Sequence, residues 1–212
     1  MPIEYYIQEF NFGQQKLRLS VPNEQSVKED FTAQQQKQQD PVFPYWAKLW
    51  PASLAMCEYI EKHAVLIKGK VVLELAAGLG LPSILASQYA RKVICSDYVP
   101  EAIENIKRSA LLNHIGNINC RLIDWEQFPE GLEADILLIS DVNYDPAQFE
   151  MLYRLFNRLL QQGMHIILST PQRIMGKPFI EKLLPFCVDR MTSHVETGSE
   201  NAEILIMQLK FN

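Results

Sequence analysis

Four acids in this chain stand at or just after apolar runs, and each is placed to hold part of a small molecule. Glu74 lies in Val71-Val72-Leu73-Glu74-Leu75-Ala76-Ala77-Gly78-Leu79-Gly80-Leu81-Pro82. This segment reads as a buried strand, a tight turn and the start of a helix. Gly78 and Gly80 let a ligand come close to the backbone, and Glu74 can accept a hydrogen bond from a cationic group. Asp97 closes Lys92-Val93-Ile94-Cys95-Ser96, 19 residues after Gly78. An acid at that offset typically holds the two hydroxyls of a ribose. Asp124 and Trp125 end a third run, where a carboxylate can bond an adenine amino group and an indole can cover the base. Asp141-Val142-Asn143-Tyr144 follows a fourth run, Ala134 to Ser140, and would face whatever reacts there.

A nucleoside that bears an amino acid needs all of these groups, and S-adenosylmethionine is the commonest one. A dinucleotide would use a similar glycine loop and ribose acid. Its fingerprint, however, has a glycine where this chain has Ser83, and a carboxylate at Glu74 would repel a pyrophosphate.

The elements that carry these residues alternate. Residues 3–20 suggest a β-hairpin around Asn11-Phe12-Gly13-Gln14. Residues 23–40 are polar, with glutamine at 34, 35, 36, 38 and 39. They read as a weakly ordered connection or as a cap over a site. Pro51 fits the first turn of a helix running to about His63. Strands are predicted at 70–76, 92–97, 118–124, 134–140 and 164–170, with helices at 81–90, 100–113, 146–161 and 176–184. Two late strands, about 187–195 and 203–211, are separated only by Thr197-Gly198-Ser199-Glu200-Asn201 and should pair antiparallel. The pattern predicts an α/β, Rossmann-like, doubly wound sheet of seven strands, mostly parallel, with an antiparallel C-terminal hairpin strand and an N-terminal β-hairpin. Ligands in such sheets bind at the carboxyl ends of the strands. We expect one domain over 1–212, with the hairpin and polar connection in 1–42 and the cofactor-binding core in 43–212.

Composition narrows the partners. Of the 212 residues 48% are hydrophobic and 21% charged, with a net charge of −5. An acidic chain argues against nucleic acid, which favours a basic face. No apolar run approaches the ~20 residues of a membrane span, so no membrane partner is expected. Met1-Pro2-Ile3-Glu4-Tyr5 lacks the basic start and apolar block of a signal peptide. Cys57, Cys95, Cys120 and Cys187 form no CxxC pair, and the four histidines are scattered. We read buried thiols in a reducing cytoplasm and no metal site.

Taken together, Glu74-Leu75-Ala76-Ala77-Gly78-Leu79-Gly80-Leu81-Pro82-Ser83, Ser96-Asp97-Tyr98, Asp124-Trp125 and Asp141-x-x-Tyr144 resemble the signature of the seven-strand S-adenosylmethionine-dependent methyltransferases. Within them the likeness is to the family-16 group, which contains many protein-lysine N-methyltransferases. Leu49-Trp50-Pro51 resembles that group too, where the tryptophan lies against the cofactor. The resemblance implies that Glu74, Ala76, Gly78 and Gly80 line the methionine part and that Asp97, beside Tyr98, holds the ribose. It implies that Asp124 and Trp125 hold and cover the adenine, and that Ser140 borders the cofactor. Asp141 and Tyr144 would be the catalytic pair that handles a substrate amine. The family usually has glycine where this chain has Ala76, which is harmless if φ is negative there.

Plainer uses exist for each position. Asp97 can cap the helix near Pro100, Glu74 can be a helix-start acid, Trp50 and Trp125 can be packing residues, Asp141 can shape a turn and Tyr144 can be a core ring. The implied reaction is displacement at a sulfonium methyl by a neutral amine. A free lysine has a pKa of about 10.4, and a sulfonium about 4 Å away at an effective dielectric of ~20 lowers it by roughly 3 units. A carboxylate acts in the opposite sense, so Asp141 suits capture and orientation of the amine and not strong general-base work. The expected substrate is a protein lysine. The alternatives are a small-molecule amine, or a non-catalytic binding module on the same fold.

Overall fold

A computed structural model describes residues 2–37, 41–197 and 200–211. The strands at the centre are β3 (Val71–Leu75), β4 (Lys92–Asp97), β5 (Ile118–Leu122), β6 (Ile136–Ser140) and β7 (His165–Pro171). With β8 (Cys187–Thr197) and β9 (Glu200–Leu209) they form one sheet in the order β5-β4-β3-β6-β7-β9-β8. The first five are mutually parallel, and β9 runs antiparallel to both β7 and β8. The expected seven-strand doubly wound sheet is therefore present. The tip of the last hairpin, residues 198 and 199, lies outside the described residues.

The near-continuous apolar strands serve two faces because side chains alternate along a strand. Val72 and Leu138 pack with α2 (Pro51–Lys62), α3 (Leu81–Ala86) and α4 (Pro100–Leu112), through residues such as Met56, Ile84 and Ile106. Leu73, Leu137 and Ile139 pack on the other face with α5 (Phe149–Gln161) and α6 (Lys177–Leu183), through Leu152, Phe156 and Phe179. Strand order reverses between β3 and β6. Their carboxyl ends carry the Ala76–Gly80 turn and the Ser140–Asp141 step, which places the two motifs at the switch point where such sheets open a crevice.

The N-terminal hairpin pairs β1 (Tyr5–Phe12) with β2 (Gln15–Pro22). Leu17, Leu19 and Val21 join the core on the α4 side. The edge of β2 is satisfied by polar side chains one helical turn apart on α4 and at its C-cap, Asn113. The Ser20 amide donates to Ser109 Oγ (3.0 Å) and the Arg18 amide to Asn113 Oδ1 (2.8 Å). Asn105 Nδ2 donates to the Ser20 carbonyl (2.9 Å).

The polar stretch 23–40 corrects the sequence reading. Instead of a weakly ordered connection it forms α1 (Glu24–Gln36), while 38–40 lie outside the described residues. Asn23 caps it by accepting from the Ser26 amide (3.0 Å). Gln25 and Gln34 bond Glu29 and Asp30 one turn away, each at 2.7 Å, and Val27 anchors the helix in the core. Glutamine is a good helix former, and a cap is worth about 1 kcal/mol. Low hydrophobicity alone did not decide the outcome.

Candidate active site

The turn after β3 is built on unusual backbone. Ala76, Gly78 and Gly80 have φ of 52°, 55° and 74°. Gly80 needs to be glycine twice over, because a Cβ there would stand 2.9 Å from Ile106 Cγ1. Ala76 holds a left-handed conformation without being glycine, which costs roughly 1 kcal/mol. The turn thus does demand positive φ at the position where the resembling family usually has glycine.

Asp97 fastens this turn to the next strand. Its Oδ2 accepts from the Gly78 amide (2.8 Å) and its Oδ1 from the Val99 amide (3.0 Å). Val99 is the N-cap residue of α4, so Asp97 does serve a helix start, and it also ties the glycine turn in place. Burial pushes its carboxyl up, against the pull of those amides. A carboxylate has about four lone-pair positions, so two amides leave room for further donors.

Glu74 is only 2% exposed. Among the described residues its partners are the Ser83 amide, which donates at 2.9 Å, and the Cys95 thiol at 4.0 Å, neither of them a cation. Burial, partly offset by Ser83, raises its pKa to about 8. The carboxyl is therefore mostly protonated at neutral pH and would ionise if a cation reached it.

Glu74, Ala76, Gly78, Gly80, Asp97, Tyr98, Trp50, Trp125, Ser140, Asp141 and Tyr144 line one cavity of about 250 Å³. Asp124 is not on its wall. It lines a neighbouring cavity of about 270 Å³ that shares Ala76, Tyr98, Trp125 and Tyr144 with the first. Its carboxylate accepts from the Glu126 amide (2.9 Å) and starts a short 3-10 turn, Trp125–Gln127. Trp50 is the N-cap residue of α2, with its indole N–H donating to the Tyr45 carbonyl (3.0 Å). The buried Ser140 hydroxyl has no hydrogen-bond partner. An orphaned hydroxyl and a buried carboxyl in one cavity suit a polar ligand that carries a cationic amino-acid group.

The Asp141 end of the cavity holds a feature that the strand-end reading missed. Asp141 (φ 55°) follows β6, its backbone amide donating to the Ser169 carbonyl at 2.9 Å. Its carboxylate is held by both ends of the Arg173 guanidinium, Nη1 on Oδ1 and Nη2 on Oδ2 at 3.1 Å. Arg173 lies just past β7 and also lines the cavity. The rule that singled out Asp141, a polar residue after a parallel strand, applies equally to Arg173, and nothing else in the sequence marks it. Tyr144 is half exposed and packs against Tyr45, ring centroids 5.5 Å apart. Tyr45 in turn meets Phe43 at 4.5 Å, and Phe43 meets Phe31 of α1 at 5.4 Å. The polar stretch therefore reaches the site through a chain of rings.

Comparison with known proteins agrees with this architecture. A family model described as lysine methyltransferase matches residues 29–184. The histone-arginine methyltransferase METTL23 of Xenopus laevis is 38% identical over 50% of this chain and 48% of its own. The EEF1A lysine methyltransferase 3 of Xenopus tropicalis is 32% identical over 60% of this chain and 58% of its own. This chain thus spans about half the length of these relatives. The crystal structure of N-methyltransferase NodS from Bradyrhizobium japonicum, in complex with S-adenosylhomocysteine, superposes with a TM-score of 0.56. It covers 72% of this chain and 87% of its own at 16% identity, which is a likeness of fold. With its motifs gathered at the switch point of that sheet and most of its length matched, this chain belongs to the lysine methyltransferase family of S-adenosylmethionine-dependent methyltransferases.

Proposed function

We propose that this chain transfers a methyl group to the side-chain nitrogen of a protein lysine. The observation that carries the reading is one cavity lined from three strand ends. Glu74, Gly78 and Gly80 line it from the end of β3 and the turn after it, Asp97 from the end of β4, and Ser140, Asp141 and Tyr144 from the end of β6 and the loop after it. The family description adds weight. Three half-exposed tyrosines, Tyr45, Tyr98 and Tyr144, flank the cavity. Their rings suit the methylene stem of a lysine approaching from outside.

In this reading Glu74 would accept from the cofactor's ammonium, giving up its proton to solvent as it ionises. Asp97 adds the ribose hydroxyls to its two amide bonds. Tyr98, Asp124 and Trp125, which line the adjoining cavity, would hold the adenine. Ser140 would gain a partner for its hydroxyl, and Trp50 would pack against the cofactor. When bound, the cofactor supplies an electrophilic methyl on a positively charged sulfur. Asp141 orients the acceptor nitrogen through a lone pair not used by Arg173, and Tyr144 adds ring packing and its hydroxyl. Holding the nitrogen in line is the protein's main contribution to rate. Neither a covalent intermediate nor a metal is required by this scheme. We read 1–212 as a single methyltransferase domain, since the hairpin shares its core with α2, α3 and α4. We place it in the cytoplasm, in keeping with four free cysteines and with no described helix long and apolar enough to cross a membrane.

Incubation with methyl-labelled cofactor and a cell lysate tests the assignment. The expected result is label in protein, recovered as methyl-lysine after hydrolysis. Label confined to small molecules or to nucleic acid would overturn it. A second reading, an arginine acceptor, is favoured by the likeness to the Xenopus laevis protein, and the same hydrolysis would return methyl-arginine.

A further inference from the structure

Asp141 is already paired, and by the kind of group that it would otherwise be free to capture. Its side chain is 6% exposed and that of Arg173 31%. Two-point contact between a guanidinium and a carboxylate is the most geometrically specific of ion pairs. The pair is anchored from both sides. Asp141 sits at the end of β6 with its amide on Ser169, in the neighbouring strand. Arg173 opens the 3-10 turn Ile174–Gly176. Gly176 packs so closely on Asn143, two residues from Asp141, that a Cβ there would stand 2.6 Å from Asn143 Nδ2.

We propose that Arg173 is the specificity-determining residue of the acceptor site: by holding both Asp141 oxygens it prevents capture of a charged ammonium and admits the acceptor nitrogen in its neutral form. This rests on the reading of the Asp141 loop as the acceptor site. The other ionisable groups on the cavity wall are Glu74 and Asp97 from the ends of β3 and β4, Lys48 and Tyr45 from the segment before α2, Tyr98, and Tyr144 from the Asp141 loop itself. Of these, Tyr144 shares the loop, and Glu74 and Asp97 are the residues assigned above to the cofactor. Without Arg173, Asp141 would present a full negative charge to the incoming amine. A unit charge about 5 Å away at an effective dielectric of ~20 shifts an amine pKa by roughly two units, and partial exposure reduces that toward one. Arg173 therefore opposes the stabilisation of an ammonium that an unpaired Asp141 would give.

The test compares wild type, Arg173→Met and Arg173→Lys as holoenzymes. Label transfer from methyl-labelled cofactor into total lysate protein is followed across pH. Arg173→Met should move the acid limb of the profile up by about one to two units, lose about 10- to 100-fold near neutral pH, and recover to within a few-fold of wild type above about pH 9. Arg173→Lys keeps the charge and should hold the limb within about half a unit of wild type. Loss of the same factor at every pH would assign Arg173 a structural role, and a gain at every pH would make it a gate; either overturns the proposal. A second measurement separates this from the function itself. With S-adenosylhomocysteine present, millimolar butylammonium should raise the melting temperature of Arg173→Met and not that of wild type. If wild type labelled no protein, the proposed function would fail, and the butylammonium response would still decide the role of Arg173. Equal responses in the two proteins would overturn it.

Discussion

Glu74→Gln should make this protein more stable and a poorer binder of its cofactor. Glu74 has a pKa of about 8 in the fold, against 4.5 for an ordinary glutamate. The folded chain thus holds a proton that the unfolded chain releases between these values. Where the native state binds more protons, stability falls as pH rises, so the loss begins near pH 4.5 and is complete above about 8. The full penalty is on the order of 5 kcal/mol, and about 3 kcal/mol of it is felt near neutral pH. Glutamine keeps an oxygen for the Ser83 amide and has no charge to lose. The variant should therefore gain about 3 kcal/mol near neutral pH. That is a rise in melting temperature of roughly 6–12 °C for a chain of this size. The gain should shrink to nothing below pH 4.5. Denaturant melts from acid to mildly alkaline pH, without cofactor, measure this. A stability difference that does not change with pH, or a variant less stable than wild type above pH 8, would refute the burial argument. The same proton appears in binding. Near neutral pH, wild type should release about one proton as a cationic cofactor is bound, seen by calorimetry in buffers of different ionisation enthalpy, and the variant should release none from this position.

Other substitutions separate roles within the cavity. Asp97→Ala removes the acceptor of two amides. It should weaken cofactor binding strongly and also cost about 2–4 kcal/mol in denaturant melts; unchanged affinity would remove Asp97 from the ribose. Asp141→Ala should abolish methyl transfer while leaving cofactor affinity, measured by calorimetry, within a few-fold, and an equal collapse of binding would show that the residue serves the cofactor instead. Gly80→Ala should destabilise by about 1–3 kcal/mol, since it forces a Cβ into Ile106 at positive φ. Ala76→Gly should stay within about 1 kcal/mol of wild type, relief of strain offsetting the added freedom of the unfolded chain.

The order of elements was legible because its causes are local. Near-continuous apolar runs at Val71–Leu75, broken only by Glu74, and at Ile136–Ser140, apolar up to its last residue, each followed by a helix, fit strands covered on both faces, and two glycines two apart mark a turn that a ligand can approach. The polar stretch 23–40 was misjudged because its helix depends on an Asn23 cap and glutamine side-chain bonds, not on hydrophobic periodicity. Ala76 could not be settled from sequence, since only the closed turn shows that its φ is positive. Asp97 presented itself as either a cap or a ligand residue, and packing gives it a third use, that of tying the glycine turn to β4.

By itself the amino-acid sequence determined which chemistry gathers at the strand ends. Residue types and their offsets along the chain are fixed covalently, and the periods of strand and helix turn those offsets into positions. Only the tertiary structure decided the charge state of that chemistry. Burial with no cation beside it among the described residues makes Glu74 a proton holder, and the end of β7 brings Arg173, 32 residues further along the chain, against Asp141. Electrostatic energy depends on distance through space and on access to water, and neither is written along the chain.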